Sequence, residues 1–208
     1  MTRTVMCALV ALAAACGETP GDRPDVIEVK HEESVEVGGG PTGATLENNA
    51  LNTPQTGAGL SASLTTSLQN QGVTKTDVES VKMKQVRLEV TAPLRNNQPL
   101  VDLDFLDSLS MFVASEGKPE VLVAQSEPPP GTDGGTGPRT FADGVFAVDV
   151  PLTGAELKDY VTAESMSVRT DIVANRRPTL SCTVKFTTVM EVKISPAAVT
   201  SRAGLPTP

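Results

Sequence analysis

The sequence predicts a mainly β protein: an antiparallel β-sandwich, immunoglobulin-like or related, with one or two short helices, behind a disordered N-terminal tether. Three observations lead there. Leu180, Cys182, Val184, Phe186, Thr188, Met190, Val192 and Ile194 fall on alternate positions, with mostly polar residues between them. Strict period two means a long strand with one buried face. Shorter runs alternate in the same way and are separated by Pro- and Gly-rich stretches, which is the pattern of a sandwich. All five Phe (Phe105, Phe112, Phe141, Phe146, Phe186) and the only Tyr, Tyr160, lie beyond residue 100, which places the core there.

The elements follow in chain order. Residues 16–59 read as an acidic, Gly/Pro-containing flexible tether. Between Glu18 and Glu36 stand seven acids against two bases, and Gly38-Gly39-Gly40-Pro41 follows, with no aromatic residue in the stretch. Too little apolar surface is present there to offset chain entropy. As a coil the tether would hold the domain roughly 35–40 Å from its origin. His31 then reads as a solvated tether residue.

The sandwich domain is expected over 60–197, with a disordered tail at 198–208. Leu60 to Gln69 has a helical pattern. Val86, Leu88 and Val90 alternate, but Val81 and Met83 are out of phase with them, which predicts a bulge near Lys84-Gln85. Leu109, Met111 and Val113 make the next strand, with Phe112 on its other face. Glu120 to Gln125 is short, and Phe146, Val148 and Val150 alternate after it. Between them Pro128 to Pro138 can hold no regular element and reads as a loop. Gly154 to Val161 suggests a second short helix, and Met166, Val168, Thr170 and Ile172 another strand, ended by Arg176-Arg177-Pro178.

Composition removes whole classes of function. With 17 Lys+Arg against 25 Asp+Glu, the net charge is −8. Nucleic-acid binding needs clustered bases on one face, and none is present. The single His lies in the expected tether, so a Ser–His or Cys–His hydrolytic site in the domain is not expected. A zinc site of His/Cys type is not expected either. Gly131 to Gly137 lacks the Lys-Ser/Thr of a phosphate loop. Sugar hydrolysis by paired carboxylates would want aromatic platforms, and there is no Trp and one Tyr. The reading is therefore no enzyme and no cofactor.

The N-terminus carries the most specific signal. Arg3 lies in a short positive segment, Val5 to Ala15 is unbroken apolar sequence, and the run ends Leu12-Ala13-Ala14-Ala15-Cys16-Gly17. About eleven residues are too few to span a bilayer and fit the apolar region of a signal peptide. Small residues before a Cys at that point resemble the lipobox of bacterial lipoproteins, with Ala13 where Leu is commonest. The resemblance covers residues 1–17 only. It implies cleavage of a signal peptide, 1–15, and attachment of lipid, palmitate among its acyl chains, at Cys16. Two or more chains give a firm anchor where one does not. Gly17 is not the Asp that holds enteric lipoproteins at the inner membrane, so the resemblance implies the cell envelope, at the outer rather than the inner membrane. Cys7 then leaves with the signal, Cys16 carries lipid, and Cys182 stands alone on a core face.

Asp102, Asp104 and Asp107 are the one candidate set for a hard cation such as Ca²⁺. The run lacks the spacing and the Gly of an EF-hand, and its other reading is a polar turn into the Leu109 strand. Arg176-Arg177 reads as a solvated basic turn. The function expected is that of a non-catalytic, membrane-anchored lipoprotein whose tethered β-sandwich is a binding or structural module for an envelope protein. The alternative is a carrier of a lipid or other apolar ligand, held between sheet and the Leu60–Gln69 helix.

Overall fold

The computed structural model describes residues 25–41, 56–126, 141–163, 166–174 and 176–195. The expected signal peptide, Cys16, the Pro128–Pro138 loop and the 198–208 tail lie outside the described residues.

Among the described residues nine strands and two α-helices follow one another as β1 (Val26–Val37), α1 (Thr56–Asn70), β2 (Val78–Ala92), β3 (Leu94–Arg95), β4 (Gln98–Pro99), β5 (Leu106–Ser115), β6 (Val121–Gln125), β7 (Ala147–Asp149), α2 (Lys158–Val161), β8 (Met166–Ala174) and β9 (Cys182–Ile194). A four-stranded antiparallel sheet has the order β1-β9-β2-β7, and a three-stranded one the order β6-β5-β8. The inner faces of both sheets join one apolar core, as a sandwich requires.

The strand of strict alternation, β9, is the centre of the larger sheet and is paired on both sides. Its inner residues Val184, Met190 and Val192 are completely buried or nearly so. The expected bulge is present in β2. Its register against β9 shifts between Met83 and Gln85, which turns both Val81-Met83 and Val86-Leu88-Val90 inward. Without that shift one of the two apolar sets would face water. Phe112 faces outward, and the Arg169 guanidinium lies over its ring at 4.4 Å while holding Glu120 through two nitrogens. The β3–β4 hairpin turns through Asn96 and Asn97, both at positive φ, a conformation that Asn tolerates. Of the helix expected at 154–161, only Lys158–Val161 forms.

The N-terminal segment corrects the tether reading. Residues 26–37 are β1, an edge strand that pairs with β9 over its whole length, from Val26↔Lys193 to Val37↔Cys182. The reason is parity. Ile27, Val29, Val35 and Val37 occupy odd positions and face the core, where Ile27, Val29 and Val37 are buried. Glu28, Lys30, Glu32 and Glu36 occupy even positions on the outer side. A charge count over the segment averages the two faces and conceals the strand.

The Gly triplet after β1 is no spacer either. Gly39 donates its N–H to Ser181 Oγ at 3.0 Å, and Gly40 donates to the Pro178 carbonyl at 3.0 Å. A Cβ on Gly39 would stand 2.4 Å from the Ser181 nitrogen, so only Gly fits this approach of two backbones.

Helix α1 closes the side of the sandwich where the edge strands β1 and β8 lie, touching both. Leu60, Leu64 and Leu68 recur at every fourth residue and are buried in the core. These three leucines pack the helix onto the sandwich core.

Candidate functional site

Three polar constellations emerge from this framework. The first is at the junction of β1, β9 and α1. His31 and Glu33 take two successive inner positions of β1, opposite Thr188 and Phe186 of β9. Both are half-buried. His31 Nδ1 lies 3.3 Å from Ser63 Oγ on α1, tying strand to helix. Burial pushes the His31 imidazole below its ordinary value, against a smaller opposing effect of Glu32. It is therefore neutral at pH 7 and accepts or donates one hydrogen bond on each nitrogen.

The expectation of a domain without His is thus overturned, because β1 brings His31 into the fold. A nucleophilic Ser–His pair also needs a group that orients the ring through its other nitrogen and donors for an oxyanion. Among the described residues no hydrogen bond reaches His31 Nε2. What the geometry provides is a polar tie between α1 and β1.

The second constellation concerns the acidic run. Asp102 and Asp104 lie together, and Asp143, which the sequence did not single out, joins them. One oxygen of each lies within 4.8 Å of the others. Asp107 is not a member of this group. Asp102 accepts the Gly144 N–H at 2.9 Å, and Asp104 pairs with Arg176. Burial and the neighbouring Asp102 push Asp104 up, against Arg176. Burial acts the same way on Asp102, but the Gly144 N–H and hydrogen bonds with Asp104 and Asp143 outweigh it and hold Asp102 low.

The Gly144 N–H on Asp102 and the Asp104–Arg176 pair staple the loops before β5, before β7 and before β9. A calcium ion takes six to eight oxygens; among the described residues this group gathers three carboxylates, and Arg176 pairs with one of them. Arg176, expected as a solvated turn residue, is part of the staple.

The third is a groove of about 500 Å³ on the larger sheet, lined by Glu28, Lys84, Gln85, Asp149, Leu152 and Val189 among others. Lys84 pairs with Glu28, Gln85 Nε2 donates to Asp149 Oδ1 at 2.7 Å, and Arg87 meets the same carboxylate at 3.2 Å. The charged groups thus sit beside Val86, Val150, Leu152 and Val189, so the groove has a mixed polar and apolar lining.

Cys182 is buried at the start of β9, and burial pushes its thiol up to about 11. The thiolate is the reactive form, so this cysteine should be inert in the native protein. We expect it to resist iodoacetamide at pH 8 and to be alkylated at once in urea; rapid labelling of the native chain would show that β9 opens at this end.

No protein-family model and no curated protein matches this chain. Among the described residues no helix is long and apolar enough to cross a membrane.

Proposed function

We propose that the chain is a lipid-anchored protein of the bacterial cell envelope, held at the outer membrane through Cys16, and that its β-sandwich is a non-catalytic binding or structural module. The observation that carries this reading is the run Leu12-Ala13-Ala14-Ala15-Cys16-Gly17 directly behind an apolar segment of signal-peptide length. The fold is compatible with it in one further respect. Strand β1 starts ten residues beyond Cys16, so the intervening chain reaches at most about 35 Å even when fully extended. The sandwich is therefore a module held close to the bilayer surface and not one on a long leash.

Within this reading the residues have separate tasks. Cys16 attaches the lipid, β1 joins the anchor to the sheet, and the charged outer faces of both sheets keep the module hydrated. The alternative reading remains a carrier of a lipid or other apolar ligand.

The test is Cys16→Ser in the full chain, expressed in a bacterial host and partitioned in a phase-separating detergent. The parent should enter the detergent phase and Cys16→Ser the aqueous phase. Continued entry of Cys16→Ser into detergent would overturn the anchor.

A further inference from the structure

We propose that the free edge of β1 is a docking edge for an extended, basic segment of a partner protein, which would add a strand to the four-stranded sheet. This rests on the binding-module reading and names its partner class.

The direction of the backbone groups follows from one hydrogen bond. The Ile194 N–H donates to the Asp25 carbonyl at 2.8 Å, which makes Asp25 and Ile194 a hydrogen-bonded pair. In an antiparallel ladder such pairs alternate along the strand. Odd residues of β1 therefore turn their N–H and C=O toward β9. Val26, Glu28, Lys30, Glu32, Ser34 and Glu36 turn theirs outward. Among the described residues no other strand pairs with β1, and no backbone hydrogen bond joins those six residues to another element. Helix α1 does not take their place, since it meets the inner side of β1 at His31.

Natural edges are usually short, bulged or interrupted by Pro. This one is twelve residues long, keeps one register with β9 throughout and contains no Pro. At about 3.4 Å per residue it is a template of some 40 Å. Among the described residues its protection is charge, and the charge selects what can bind.

Lys84 answers Glu28, while Lys30 and Lys185 answer Glu32. Glu33 and Glu36 have no cation among the described residues. Glu33 is the sharper case, a half-buried carboxyl on the inner side whose only recorded influence is burial, which pushes it up. An incoming strand with a Lys or Arg opposite Glu33, and another three residues away opposite Glu36, would supply both missing charges. A second copy of β1 would instead bring four acids and one base to an edge of the same composition, and like charges directly opposed are destabilising.

The test uses the full chain in detergent micelles and a twelve-residue synthetic peptide of alternating Thr and Val. Lys stands at the two positions opposite Glu33 and Glu36, and a control peptide carries Glu there. Amide hydrogen exchange should show the N–H groups of Glu28, Lys30, Glu32 and Ser34 exchanging freely in the protein alone and protected with the Lys peptide. Glu33→Gln should weaken binding about three- to fivefold, as expected for loss of one cross-strand charge pair. Ser34→Pro removes an outward N–H that the β9 ladder does not use, so it should block binding while β9 amides stay protected. Equal binding of the Glu peptide would overturn the proposal, as would no binding at millimolar Lys peptide or unchanged affinity in Glu33→Gln. So would a dimer of the free chain with these amides already protected. None of those results would alter the partition of Cys16→Ser, so the two readings fail separately.

Discussion

A chain from which residues 25–41 have been deleted should not fold. The segment has the composition of a spacer, yet Ile27, Val29 and Val37 are core residues. Burying each contributes about 1.5–3 kcal/mol, so their loss removes about 5–9 kcal/mol. That is of the order of the whole stability of a domain, about 5–15 kcal/mol. The deletion also strips one side of β9 of its twelve-pair ladder, leaving an apolar strand with an open edge. Circular dichroism should show loss of the cooperative transition, and the protein should aggregate on concentration. If the deletion retains a urea midpoint near that of the parent, β1 is an accessory strand and the tether reading returns.

The second large effect is expected at Leu88→Ala. Leu88 is completely buried on the inner face of β2, and the register sets Phe186 on one side of it and Val148 on the other. β9 and β7 are held by their own ladders and cannot close over the gap. Leu→Ala at such sites costs about 2–5 kcal/mol, and this one belongs in the upper half of the range. The adjacent position provides the control. Arg87 faces outward and pairs with Asp149 on an exposed surface, so Arg87→Ala should cost at most about 1 kcal/mol. Urea midpoints at constant slope measure both. Similar costs at the two positions would mean that the bulge at Lys84 does not set the parity assigned to β2.

Much of the fold was legible because period two is a local signal. β9, β5, β8 and the bulge in β2 could be read from which positions are apolar. β1 could have been read the same way, since Ile27, Val29, Val35 and Val37 share one parity. The signal is interrupted there by His31 and Glu33, two polar residues on the inner side, and the surrounding acids pull any average toward disorder. Those two residues face the core because α1 supplies Ser63 and the edge position leaves them half-wet. That is a tertiary circumstance with no local trace.

The acidic cluster fails for a related reason. Asp102 and Asp104 are near neighbours in sequence and Asp107 follows three residues later. The third carboxylate in space comes from Asp143, forty residues away, and Arg176 from farther still. Their meeting depends on how the two sheets stack.

The position of β1 has a mechanical consequence. On the lipid-anchored reading, tension from the membrane enters the fold at Val26, one end of the edge strand. If a load is held at the other end of the sheet, near Val37 and Cys182, the pull runs along the strand. The register from Val26↔Lys193 to Val37↔Cys182 is then loaded in shear, and its pairs resist together. A sideways pull would open the same pairs one at a time from Val26. Resistance to force is governed by the unfolding rate and not by equilibrium stability. The same sandwich would thus be strong when drawn outward from its membrane and weak when dragged along it.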